Sequence, residues 1–118
     1  MIEVIVTGGR DYKNYEFVCE KLNELHKLHT ISLLIQGGAT GADHLAFVWA
    51  MENNVPYETV NAEWERLGLS AGMQRNYEMI TSYPNAWVVA FKGGKGTDGC
   101  VAIARSHNRE VIDYRRHG

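Results

Sequence analysis

The sequence predicts an α/β fold, a single Rossmann-like, doubly wound parallel sheet of about five strands in the order 3-2-1-4-5. Three observations carry this expectation. Short apolar, β-branched runs at residues 2–6, 31–35 and 86–91 have the length and composition of buried parallel strands. Segments with apolar residues three and four apart lie between them, the mark of helices packed on a sheet. Each of the three runs also leads into a glycine turn: Thr7-Gly8-Gly9-Arg10-Asp11, Gly37-Gly38-Ala39-Thr40-Gly41-Ala42-Asp43 and Lys92-Gly93-Gly94-Lys95-Gly96-Thr97. In a right-handed parallel sheet such turns fall on one edge, beyond the carboxyl ends of the strands.

Residues 2–6 form the first strand, and Asp11 closes its turn as a helix cap or a ligand contact. Over residues 14–28, Val18, Leu22 and Leu25, with Phe17 and Leu28 beside them, make the stripe of the first helix. The second strand and the central turn follow. Ala42, Leu45, Ala46, Trp49 and Ala50 then mark one face of a helix ending near Asn53-Asn54. Residues 55–60 read as a third strand, with Pro56 at a position where no ladder donor is needed. Residues 61–72, containing Glu63-Trp64-Glu65-Arg66, have no clean period and read as a long loop or a broken helix. A helix over residues 70–82 places Met73, Tyr77 and Ile80 inward and stops at Pro84. Residues 86–91 are the fourth strand, residues 98–106 a short helix, and residues 110–112 an edge strand before a frayed tail from Tyr114 to Gly118.

The chain has 118 residues and a mass of 13.3 kDa, which predicts one domain over residues 1–118, with any ligand seated on its single sheet. A net charge of −2 gives no global attraction to nucleic acid or acidic membranes, so anion binding has to be local. The sequence has neither a basic leader nor an apolar run of the ~18 residues a membrane span needs, and a cytoplasmic protein is expected. Cys19 and Cys100 lack the spacing of a zinc or dithiol motif and read as reduced packing residues.

One glycine pair is often no more than a tight turn. Three on one edge, two of them with a basic side chain, point to a phosphate or carboxylate held by backbone N–H groups and helix N-termini. Thr40 and Thr97 add hydroxyl donors, and Arg10 and Lys95 add charge. The turns match neither GxGxxG nor a Gly-Lys-Ser/Thr phosphate loop, which disfavours dinucleotide binding of the first kind and ATP hydrolysis of the second. His26 and His29 have helical spacing but no third ligand, and no metal or cofactor is expected. His44 either reaches a ligand or faces solvent. Ser70 lacks the setting of a catalytic nucleophile. Trp64 stacks on a base or packs in the core, and Tyr12 faces the same choice.

The strings VTGGRDY, GGATGAD, AEW, AGMQRN and FKGGKGT, in this order across about residues 2–104, resemble the small YspA-type (cpYpsA-related) members of the SLOG superfamily. That superfamily also includes the LONELY GUY phosphoribohydrolases and the DNA-processing protein DprA. The resemblance implies a Rossmann-like fold, found in bacteria and phages, that binds nucleotides or nucleotide-derived signals. Carried over residue by residue, it puts Gly8, Gly9, Arg10 and Asp11 in one wall of a pocket and Gly37, Gly38, Ala39, Gly41 and Asp43 in the second. Arg75 and Asn76 form a side, and Gly93, Gly94, Gly96 and Thr97 a phosphate cradle.

In the phosphoribohydrolases the last motif is Pro-Gly-Gly-x-Gly-Thr, followed three places later by a catalytic glutamate. Here Lys92 stands in the proline place and Cys100 in the glutamate place. A thiol there cannot supply the carboxylate that stabilises an oxocarbenium-like ribosyl centre. Catalysis would then need Asp98, Glu63 or Asp43. Asp98 and Asp43 also suit first turns of helices, and Glu63 also suits a solvated loop. The leading expectation is a protein that binds a nucleotide or nucleotide-derived small molecule as a sensor, carrier or sequestering protein. The alternatives are a phosphoribohydrolase or N-glycosidase, and a single-stranded DNA binder, which the acidic net charge disfavours. A homo-oligomer whose neighbour completes the pocket is also expected as an option.

Overall fold

The computed structural model describes the backbone of residues 1–118 and their side chains except those of Glu65, Arg66 and Leu69, which lie outside the described residues. Its strands are β1 (Ile2–Thr7), β2 (Ile31–Gln36), β3 (Tyr57–Thr59), β4 (Trp87–Phe91) and β5 (Val111–Tyr114). All pair in parallel in the order β3-β2-β1-β4-β5, the order expected. The helices are α1 (Tyr15–His29), α2 (Ala42–Glu52), the single turn α3 (Trp64–Leu67), α4 (Ala71–Ser82) and α5 (Lys95–Ser106). A 3-10 turn at Gly68–Ser70 joins α3 to α4, so the aperiodic stretch is the broken helix.

Side chains alternate across a strand, so each central strand feeds two cores. Val4 and Val6 of β1 pack with Val18 and Leu22 of α1, Ala46 and Trp49 of α2, and Phe91 of β4. Ile5, between them in sequence, lies on the opposite face with Ile35, Val88, Met79 and Ile80 of α4, and Cys100 and Ala104 of α5. With both faces covered, β1 and β4 need continuous apolar sequence, which explains their lack of alternation. The chain reverses its winding between β1 and β4, and a crevice opens beyond their carboxyl ends. No helix among the described residues is long and apolar enough to cross a membrane.

Four local expectations are corrected. Asp11 is exposed and does not cap α1; Asn14 does, its Oδ1 accepting the Phe17 N–H at 3.1 Å. In α4, Ile80 faces inward as expected, but Met73 and Tyr77 are 68% and 51% exposed, and Asn76 and Met79 take inner positions. A polar residue goes inside there because both polar atoms of its amide are hydrogen-bonded, an exception that apolar periodicity cannot register. Helix α5 starts at Lys95 rather than near Asp98, which makes Gly96 and Thr97 helical. The tail is not frayed: the Gly118 carbonyl accepts from Tyr12 Oη at 3.0 Å and Asn14 Nδ2 at 3.3 Å, and Tyr114 packs on Phe91 and Phe17.

Candidate functional site

Because β1 lies between β2 and β4, the three glycine turns meet on one rim. The Gly9 N–H donates to the Lys92 carbonyl at 2.8 Å, and the Ala42 N–H donates to the Gly9 carbonyl at 3.0 Å, so the first turn is stitched to both others. Glycine is obligatory at position 41, which has a φ of +74° and where a Cβ would come within 2.1 Å of the Gly9 oxygen.

The second turn, the most conspicuous in sequence, has the donors of its Gly37-Gly38-Ala39 segment tied up internally. Asp43 is 6% exposed, and its Oδ2 accepts the N–H groups of Gly37 at 3.1 Å and Ala39 at 3.3 Å. The Gly38 N–H donates to Gln36 Oε1, and the Thr40 hydroxyl to the Arg10 carbonyl at 3.1 Å. These donors are occupied within the protein. Burial pushes the Asp43 carboxyl above its ordinary pKa, against the pull of Arg75, the two N–H groups and Arg10.

The turn after β4 is the reverse case. Gly94 precedes α5, and the first bond of that helix runs from the Asp98 N–H to the Gly94 carbonyl at 3.0 Å. Helix geometry therefore leaves the N–H groups of Lys95, Gly96 and Thr97 without intrahelical acceptors. They lie at the edge of a cavity of about 660 Å³ lined also by Gly8, Gly9, Arg10 and Ala39. A Cβ added at Gly94, Gly96 or Gly99 would meet nothing within 4 Å, and none of the three has a left-handed φ. Neither packing nor backbone conformation asks for glycine there; each instead leaves room along the cavity wall.

Helix α4 closes the side. Arg75 donates from one guanidinium nitrogen to the Gly37 carbonyl at 2.7 Å and from Nε to Asn76 Oδ1 at 3.0 Å, and Asn76 Nδ2 donates to the Gly96 carbonyl at 3.1 Å. The pair thus braces the β2 turn against the start of α5. Trp64, 46% exposed, stands at the mouth with the Arg10 guanidinium 5.1 Å from its ring centroid, and Gly72 and Met73 continue that wall. Cys100 lies on the inner face of α5, fully buried, and burial pushes its thiol up to about 11 against the lowering effect of a hydrogen bond with Thr7. It is therefore a protonated packing group at neutral pH.

Of the residues expected to touch ligand, Gly8, Gly9, Arg10, Ala39, Asp43, Arg75, Asn76, Gly94, Lys95, Gly96 and Thr97 line the main cavity. Gly37, Gly38 and Thr40 line an adjoining hollow of about 340 Å³. Asp11 and Gly93 line a different hollow beside Lys13 and Lys92, and Gly41 is packed against the Gly9 and Arg10 carbonyls. Of the three candidate acids, Asp43 lines the cavity, Asp98 is turned to Arg115 at 2.8 Å, and Glu63 is exposed just ahead of α3. Sequence reasoning missed Gly99 and Gly72. For Gly99 a signal existed, since Gly96 and Gly99 are three apart, one helical turn, in a segment that also carries an apolar helical face. No group of three His, Cys, Asp or Glu side chains among the described residues could hold a metal ion, and the His26 Nδ1 accepts the Ile31 N–H at 2.9 Å.

A family model described as the YspA, cpYpsA-related SLOG family (YAcAr) matches residues 2–67, more than half of the chain and the stretch with the first two turns. The chain belongs to this family. Among curated proteins, the "Gene 61 protein" of Mycobacterium phage D29 is 34% identical over 122 residues, covering 97% of each chain, so this SLOG protein has a relative aligned through the third turn as well. Among solved structures, the DNA processing protein A (DprA) from Streptococcus pneumoniae aligns with a TM-score of 0.55 at 15% identity, over 98% of this chain. At that identity the likeness speaks for the fold alone, and the chain spans 60% of the DprA chain.

Proposed function

We propose that this SLOG-family protein binds a nucleotide or nucleotide-derived small molecule, with a phosphate seated on the open N–H groups at the start of α5. The observation that carries the reading is the helix start itself. Its donors have no intrahelical acceptor, glycines at 94, 96 and 99 keep the adjacent space clear, and a cavity of about 660 Å³ lies in front of them. Lys95 and Arg10 offset the phosphate charge, Thr97 supplies a hydroxyl, and the Trp64 ring offers a stacking surface at the mouth. Asp43 acts as the internal anchor of the β2 turn, and Arg75 with Asn76 holds the two rims at a fixed separation.

Binding without turnover fits this arrangement. The place of the phosphoribohydrolase glutamate is a buried protonated thiol, and Asp98 points to Arg115. Membership in the SLOG family and a DprA-like fold are in keeping with a nucleotide-related role.

Calorimetric titration with nucleoside monophosphates and diphosphates, after native mass spectrometry of the freshly purified protein for a retained nucleotide, tests the proposal. Gly96→Leu, which places a side chain in open space, is expected to lower affinity by at least about tenfold while the urea midpoint does not fall. Unchanged affinity in the folded variant would overturn the assignment of the α5 cradle. Release of free base, abolished by Asp43→Asn, would replace binding with N-glycosidic cleavage.

A further inference from the structure

The main cavity does not end at Arg10. It shares Arg10, Ala39, Trp64 and Arg75 with the adjoining hollow of about 340 Å³, so these residues form a partition between two compartments of one cleft. The Arg10 guanidinium resting 5.1 Å from the Trp64 ring centroid forms the crest of that partition. We propose that the ligand is a dinucleotide, two nucleosides joined through phosphate, laid across this crest with the second nucleoside in the hollow beside Asn61. The proposal rests on the nucleotide-binding reading above and deepens it.

Size supports two halves. A compartment of about 660 Å³ is already sufficient for one whole small ligand, and the second, about 340 Å³, suits one further ring system. Chemistry assigns the halves to their places. The α5 compartment offers open N–H groups and Lys95, which suit an anion. In the second compartment the N–H groups of Gly37 and Ala39 are already held by Asp43 and that of Gly38 by Gln36. Beyond the two arginines it shares with the first, it presents the exposed Asn61 amide and the Thr40 hydroxyl, whose hydrogen goes to the Arg10 carbonyl and whose lone pairs remain as acceptors. A donor and acceptor set of this kind matches ribose hydroxyls or a base edge rather than phosphate. Between the compartments stand two guanidinium groups, Arg10 and Arg75, where the linking phosphate of such a molecule would run.

The test compares adenosine and guanosine monophosphates with the corresponding pyrophosphate-linked dinucleosides by calorimetry at one salt concentration. The dinucleoside is expected to bind at least about tenfold tighter than the monophosphate of the same base. Asn61→Leu and Ala62→Trp, one removing the amide and the other filling the hollow, are expected to bring that ratio close to one. Thermal melts establish that both variants are folded. Equal affinity of the two ligand classes for the unaltered protein, or a ratio that survives both substitutions, overturns the second compartment while leaving the α5 cradle standing. Failure of every one of these ligands to bind overturns the nucleotide reading itself, and this proposal with it.

Discussion

Gly99→Ala should make the protein more stable and a poorer binder at once. Residue 99 lies inside α5 (Lys95–Ser106) with no left-handed φ, and a Cβ there would meet no atom within 4 Å. A glycine inside a helix costs about 0.5–1 kcal/mol relative to alanine, mainly through the conformational freedom of the unfolded chain, and nothing sterically offsets the gain. A stabilisation of about 0.5–1 kcal/mol corresponds to a rise in Tm of roughly 2–4 °C for a domain of this size. The added methyl projects into the cavity wall, so the same substitution should weaken nucleotide binding, and Gly99→Leu should weaken it much more. Differential scanning calorimetry reads the first effect and isothermal titration the second. A lowered Tm for Gly99→Ala would mean the space beside α5 is not open. A stable Gly99→Leu with undiminished affinity would mean that the open space is not where ligand goes.

Two further outcomes follow from buried groups. Asp43→Ala removes the acceptor of two N–H groups, those of Gly37 and Ala39, and should lower stability in urea by about 2–3 kcal/mol, with Asp43→Asn milder because one acceptor oxygen remains. An unaltered urea midpoint for Asp43→Ala would refute its role as the anchor of that turn. Burial pushes the Cys100 thiol up to about 11, so the folded chain keeps its proton where the unfolded chain has lost it. The contribution is complete below the ordinary thiol pKa of about 9 and is lost as pH rises toward 11, by roughly 2–3 kcal/mol. Alkaline denaturation of Cys100→Ala should therefore show a shallower decline with pH than the unaltered protein, and parallel curves would count against the burial argument.

The sheet was legible because its signals are local and repeated: β-branched apolar runs of strand length, each ending in glycine, with helical stripes between them. Strand order and the rim that gathers the turns followed from the handedness of parallel connections. The site was legible as a set of loops but not as a division of labour among them. The Gly37-Gly38-Ala39 turn has the composition of an anion loop, yet Asp43 and Gln36 occupy its donors, a consequence of side-chain direction that no spacing encodes. Asn76 illustrates the same limit on α4, where a polar residue faces inward because two partners from different parts of the chain satisfy it. Gly96 was legible as a cradle residue but not as a helical one, and Gly99 stood inside the helix expected over residues 98–106, where a glycine draws no attention as cavity wall. The docked tail depends on contacts of Gly118 with Tyr12 and Asn14, more than 100 residues away in sequence.

The Arg75–Asn76 brace means that the two rims of the crevice cannot shift independently. One side chain leans on the β2 turn and its neighbour on the first turn of α5, so α4 acts as a crossbar. A compound touching only one rim would still sense the loss of the crossbar, and weaker binding in an Arg75 variant would not by itself signify a lost contact with charge. Arg75→Lys, which keeps the positive charge but not the planar fork, separates electrostatic attraction from mechanical support.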